Sequence, residues 1–180
     1  IATSMPLESG FRVLAPADMV LHSAVHLFND EVGKPLRDLF DLHDLLSHFG
    51  AREGFWSELV VRARLHGLGR PLYYMLRCTR RMLGTHIPAE ITQATSEWAP
   101  GKAMQTLMDA LFAQYFAPES PDRPRRGAAL ARGLLYLRAH WLRMPPLMLA
   151  RHLTVKASRR IKERFARKGA EQEQGPVAQR

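Results

Sequence analysis

Three aspartates recur at intervals of three residues in the stretch KPLRDLFDLHDLLSHFG, residues 34–50. They are Asp38, Asp41 and Asp44, and Arg37 precedes the first of them. Carboxylates at this spacing share one side of a helix, where they face solvent or await a metal ion, a phosphate or a cation. The chemistry open to this helix therefore depends on the polar side chains that the fold places beside it.

Two histidines lie in the segment immediately before it, PADMVLHSAVHLFND, residues 16–30. At 100° per residue, His22 and His26 fall on the polar side of a helix whose other side is apolar. Histidines at i and i+4 stand one above the other and can chelate a metal ion, although helix packing is the commoner use of such a pair. No glutamate follows His22, which excludes the metalloprotease helix motif.

The dipeptide His43-Asp44 raises a second enzyme hypothesis, a metal-dependent phosphohydrolase of the HD type. Such a site takes an upstream helical histidine, an adjacent His-Asp pair and a distant aspartate. His26 and Asp109 stand in the required order on either side of the pair. His43 and Phe40 also fall on the apolar side predicted for their helix, where a packed core histidine is the common explanation.

Helical periodicity runs through almost the whole chain of 180 residues, and only FRVLA, residues 11–15, has the alternation of a strand. We therefore predict a mainly α fold, a bundle of about seven to eight helices. Residues 1–15 are expected to form a linker or the trailing edge of a preceding catalytic domain, residues 16–168 the helical domain, and residues 169–180 a disordered tail. The predicted helices run from Pro16 to near Gly33, from Pro35 to Gly50, and at about 53–66, 71–83, 88–97, 101–116, 128–144 and 147–168.

A single cysteine, Cys78, excludes an internal disulfide framework and any multi-cysteine zinc site. Its isolation favours a reducing compartment, so we expect a cytoplasmic protein. No apolar run approaches the roughly 20 residues that span a bilayer, and the N-terminus lacks the features of a signal peptide. We accordingly predict a soluble protein.

The formal net charge of +9 is concentrated near the C-terminus. Residues 151–168 carry eight basic residues and one acidic residue, whereas residues 1–150 carry 17 and 14. A basic helix there would suit a non-enzymatic binding module for nucleic acid or an anionic membrane, and the alternative is a packed terminal helix with its cations in solvent. The basic surface candidates are Arg159, Arg160, Lys162 and Arg164.

Two consecutive segments, VLAPADMVLHSAVHLF and LRDLFDLHDLL, carry a recognisable pair of helix patterns. They resemble the helical C-terminal half of the uncharacterised nucleotidyltransferase family. Later pieces, RARLHGLGRPLYYMLRCTRRMLGTHIP and LRAHWLRMPPLMLARHLTVKASRR, also look like that family, so the resemblance covers most of residues 11–162. RDLFDLHDLL is similar, in addition, to the matching helix of toxin-type and abortive-infection nucleotidyltransferases.

The resemblance implies an α+β nucleotidyltransferase of which this chain is the helical portion. Its reaction would transfer a nucleotidyl group from a nucleoside triphosphate to an acceptor that the sequence does not identify. The metal would be Mg²⁺, held mainly by carboxylates of a sheet domain that carries a Gly-Ser motif. No Gly-Ser followed by an Asp-x-Asp pair occurs in the chain, so we expect those carboxylates upstream of Ile1 and the isolated chain to be inactive.

Five residues take candidate roles from the resemblance. Asp41 matches the aspartate of the family's second helix, and Arg37 and Asp38 match the Arg-Asp pair of the toxin-type relatives. His26 matches the histidine of the preceding helix, and together with His22 it stands where those relatives often have a lysine. The resemblance implies that these residues face the nucleotide site or the interface with the sheet domain, and we expect the third aspartate of the stretch to face solvent.

Overall fold

The computed structural model describes residues 4–6, 10–29, 35–118 and 126–141, with 145, 147, 148, 151, 154–156 and 158. The chain divides into two compact units, residues 1–136 and 137–180. The described elements are β1 Met5–Pro6, β2 Arg12–Val13, α1 Pro16–Asn29, α2 Pro35–Phe49, α3 Phe55–Leu65, α4 Gly69–Leu83, α5 Ala89–Thr95, a 3₁₀ helix Ser96–Trp98, α6 Lys102–Tyr115 and α7 Arg126–Trp141.

The predicted mainly helical fold is confirmed, and two of its helix ends are set by glycine. Gly84 adopts φ 68° after α4, and its amide hydrogen bonds to the carbonyl of Arg80. Gly67, at φ 66°, reverses the chain between α3 and α4. Helix α4 then begins at Gly69, two residues earlier than the sequence predicts. Only glycine adopts this left-handed conformation without steric cost.

A short antiparallel hairpin precedes the helices. Met5 pairs with Val13 and Pro6 with Arg12, so the FRVLA segment does contain a strand, but its partner is a second strand that the sequence pattern does not indicate. Phe11 and Leu14 flank β2, and both side chains are exposed. The predicted last helix, residues 147–168, lies mostly outside the described residues, and so does the predicted tail.

The core of the first unit forms where α1 packs against α2, α3 and α4, and where α2 packs against α4. Each helix places a row of apolar residues on its inner side, at spacings of three and four residues. An aromatic cluster then joins α6 to this group. The centroid of the Phe112 ring lies 5.2 Å from that of Phe28 and 5.5 Å from that of Tyr74. The fully buried side chains include Val20, Leu21, Leu27, Leu39, Leu42, Leu46, Leu59, Leu72, Met75, Met108 and Phe116.

A partly buried ion pair also ties α1 to α3. Arg62 donates from Nε to Asp18 Oδ1 at 2.7 Å and from its terminal nitrogen to Asp18 Oδ2 at 2.8 Å. The hydrogen bond to Asp18 raises the pKa of Arg62. Because both carboxylate oxygens are engaged, this pair fixes the orientation of α3 against α1.

Gly69 allows the 3₁₀ helix to sit directly on the start of α4. A Cβ at position 69 would lie 2.6 Å from Cγ of Trp98 and closer still to other ring atoms, which is a steric overlap. We expect Gly69→Ala to lower the free energy of unfolding by about 1–2 kcal/mol. Urea denaturation measures this effect.

The matched control is Gly133→Ala in α7, where an added Cβ meets nothing within 4 Å. Since alanine suits a helix better than glycine, this change should raise stability by about 0.5–1 kcal/mol. Equal stabilities for Gly69→Ala and the wild type would contradict the packing described for Trp98.

Candidate functional site: the polar faces of helices α1 and α2

The polar face of α2 is set by the residues on its opposite side. Pro35 begins the helix, where its fixed φ and missing amide hydrogen cost nothing. The buried row of α2 is made of Leu39, Leu42, Leu46 and Phe49. The acidic residues therefore lie away from the core, along the side of the helix that faces outward.

Arg37 and Asp41 form an exposed pair one turn apart on this face. The distance from Arg37 Nε to Asp41 Oδ2 is 3.9 Å, and the two side chains are 73% and 61% exposed. An exposed pair at i, i+4 contributes only a few tenths of a kcal/mol. Either side chain can therefore be recruited by a ligand at little cost. Asp38, in the first turn, is half-buried, whereas Asp44 is exposed.

Phe40 is one residue whose position the sequence pattern assigns wrongly. Its expected place is on the apolar side of α2, but its side chain is 47% exposed. The buried row runs through positions 39, 42, 46 and 49, which turns position 40 toward solvent. An exposed aromatic ring consequently lies on the same helix as the Arg37 and Asp41 pair.

His22 and His26 lie on the exposed side of α1, which packs against α2. Their ring centroids are 4.5 Å apart, and the ring planes are tilted by 52°. The two histidines are thus brought together, as the i, i+4 spacing predicts. The five candidate residues accordingly belong to one pair of neighbouring helices.

Two of the four residues of the HD hypothesis, His43 and Asp109, have hydrogen-bond partners outside their own helices. His43 Nδ1 lies 2.8 Å from Oγ1 of the buried Thr85, which ties α2 to the loop after α4. Asp109 accepts two hydrogen bonds from Arg77, at 2.8 and 2.7 Å, and one from Arg81 at 3.0 Å. The fold therefore gives His43 and Asp109 separate structural partners.

The Arg77–Asp109 pair is an ionic contact between α4 and α6. The hydrogen bonds from Arg77 lower the pKa of Asp109, and the same contact raises the pKa of Arg77. The two side chains are 28% and 20% exposed, so solvent screens their attraction only in part. The sequence offers no signal for this pair, because its members are 32 residues apart.

No group of three or more His, Cys, Asp or Glu residues that could hold a metal ion occurs within the part of the chain that the structure describes. The described residues of this helix pair therefore do not fit a magnesium site of their own. Cys78 is buried, and burial raises the pKa of its thiol to about 12. A thiol of that pKa stays protonated at neutral pH and is no nucleophile.

Within the described residues, no helix has both the length and the apolar character needed to cross a membrane. The basic surface candidates Arg159, Arg160, Lys162 and Arg164 lie outside the described residues. Binding of nucleic acid or an anionic membrane by these residues therefore remains a prediction from sequence.

The fold and the candidate site together define a helical unit that presents charged and imidazole side chains on its surface. Residues 2–84 match a family described as an uncharacterised nucleotidyltransferase. The match spans the hairpin, α1 to α3 and the whole of α4, and it includes all five candidate residues. The predicted resemblance is confirmed over these residues. No curated protein and no solved structure matches the chain.

Proposed function

We propose that this chain is the helical portion of a nucleotidyltransferase, which supports metal-dependent transfer of a nucleotidyl group to an acceptor. The observation that carries the proposal is the family match, because it covers the two helices that bear the five candidate residues taken from the resemblance. A family likeness alone is associational, so the surface chemistry of those helices must also suit the task.

The outer face of α2 has the groups that a nucleotide requires. Arg37 supplies a guanidinium, which recognises phosphate oxygens through paired hydrogen bonds. The ion pair with Asp41 is weak, since both side chains are more than half exposed, so Arg37 can exchange this contact for one with a phosphate. Phe40 adds an exposed ring against which a base can stack. In this proposal Asp38 and Asp41 face the nucleotide or the interface with the catalytic sheet domain.

The catalytic metal in this proposal is Mg²⁺, and its carboxylates belong to a sheet domain outside residues 1–180. Mg²⁺ binds through one or two carboxylates together with the substrate phosphates. Held by that domain, it would supply positive charge to the phosphates of the nucleotide. The role of α1 and α2 is to hold and orient the triphosphate rather than to bind the metal. We further infer a cytoplasmic location from the single, buried cysteine.

The test compares the full-length gene product, including any residues that precede Ile1, with residues 1–180 alone. Each is incubated with Mg²⁺ and nucleoside triphosphates labelled on the α-phosphate, and transfer to protein, RNA and small-molecule acceptors is followed. We expect transfer by the full-length product only. Robust transfer by residues 1–180 would place the catalytic carboxylates within this chain and overturn their assignment to another domain.

A further inference from the structure

The histidine pair on α1 has a geometry that goes beyond the proposed nucleotidyl transfer. The chain has eight histidines, and only His22 and His26 stand at i and i+4. Both side chains are exposed, and both rings project from the same side of one helix. Two imidazoles held in this way are a bidentate ligand for a metal ion.

The distance between the rings can be compared with the distance that chelation requires. A metal bonded to one nitrogen of each ring at about 2.0–2.1 Å would lie about 3.2 Å from each ring centre. Angles at the metal between about 90° and 109° then separate the ring centres by about 4.5–5.2 Å. The observed separation is 4.5 Å, with the planes tilted by 52° rather than stacked. The separation of the two ring centres therefore already lies within the range that chelation requires.

The neighbouring residues limit what else can bind the metal. Asp18 precedes His22 by one turn, but its two carboxylate oxygens accept hydrogen bonds from Arg62. The described residues hold no third ligand in a group with the pair. The geometry points to a surface site in which His22 and His26 bind one divalent transition-metal ion, Zn²⁺, Ni²⁺ or Cu²⁺, whose remaining positions are filled by water.

The choice of metal follows from the ligand type. Imidazole nitrogens suit Zn²⁺, Ni²⁺ and Cu²⁺, and affinity for such ligands rises along the series to Cu²⁺. Mg²⁺ prefers oxygen ligands and gives up its water reluctantly, so it does not compete. This site is consequently separate from the magnesium of the proposed transfer reaction. An experiment can disprove either proposal without disproving the other.

The test is titration of the untagged protein with NiCl₂ and with ZnCl₂, followed by calorimetry, in the presence of excess MgCl₂. We expect one ion per chain. Loss of either histidine turns a chelate into a single ligand, so His22→Ala and His26→Ala should each lower affinity at least about tenfold. The matched control is His66→Ala, which removes one exposed histidine and should leave the affinity unchanged.

Two further measurements keep the result unambiguous. Circular dichroism shows whether each variant is folded, which we expect because both histidines are on the surface. Amide NMR signals of residues in α1 should broaden selectively when paramagnetic Ni²⁺ is added. Equal affinities for the wild type and His22→Ala, or broadening centred on residues away from α1, would overturn the proposed site.

Discussion

Replacing Asp109 by asparagine is expected to lower the free energy of unfolding by about 1.5–3 kcal/mol. The substitution keeps the shape of the side chain but leaves the half-buried Arg77 without the carboxylate that accepts two of its hydrogen bonds. Removing one partner of a fully buried ion pair costs about 3–5 kcal/mol, and the exposure of 28% and 20% reduces that cost. Urea denaturation at pH 7 measures the change.

The matched control is Glu97→Gln, because Glu97 pairs with Arg64 on the surface, where the side chains are 50% and 64% exposed. An exposed pair contributes little, so this variant should stay within about 0.5 kcal/mol of the wild type. Equal losses in Asp109→Asn and Glu97→Gln would show that the contact between α4 and α6 does not depend on this carboxylate.

The same pair predicts how stability changes with acid. The pKa of Asp109 is lowered in the folded protein, so its contribution is complete above the unfolded value of about 3.9. That contribution is lost as the pH falls through the folded pKa. The stability difference between wild type and Asp109→Asn should therefore be constant above about pH 5 and shrink below pH 4. A difference that persists unchanged at low pH would contradict a charged Asp109.

Replacing Asp41 by alanine in the full-length gene product is expected to lower nucleotidyl transfer at least about tenfold, with little effect on stability. On the proposed function Asp41 positions Arg37 or faces the nucleotide, and small errors in such positioning are costly. Its side chain is 61% exposed and its ion pair is weak, so folding does not depend on it. Activity and urea denaturation should be measured on the same preparation.

Asp44→Ala is the control for that experiment, since it removes an exposed carboxylate from the next turn of the same helix. It should retain transfer within about twofold of the wild type, because a solvated surface charge is seldom worth more than a few tenths of a kcal/mol. If both alanine variants lose activity equally, the acidic stripe acts through its overall charge and Asp41 has no particular role.

Local patterns predicted the helices well because each end has a local cause. Pro16 and Pro35 open α1 and α2, and Gly84 ends α4, as the sequence indicates. Strand β1 of the hairpin could not be predicted in this way. Met5–Pro6 is only two residues long, and no periodicity is visible over so short a length.

The candidate site could be predicted only in part, because its long-range contacts leave no trace in local spacing. The i, i+4 rule correctly brings His22 beside His26, with their ring centroids 4.5 Å apart. His43 contacts Thr85, 42 residues away, and Asp109 contacts Arg77, 32 residues away. Local spacing cannot predict contacts between residues so far apart in sequence. The apolar pattern predicts that Phe40 is buried, and this prediction is wrong. The buried row of α2 runs through positions 39, 42, 46 and 49, and position 40 lies outside it.

Photolabelling with an azido nucleoside triphosphate tests most directly whether α1 and α2 lie beside a nucleotide. The full-length gene product is irradiated with the probe and Mg²⁺, digested, and the labelled peptides are identified by mass spectrometry. This proposal predicts label on the peptides that contain α1 or α2, suppressed by unlabelled triphosphate and reduced in a variant in which Arg37 is replaced by alanine. Competable label confined to other peptides, or no competable label anywhere, would contradict it.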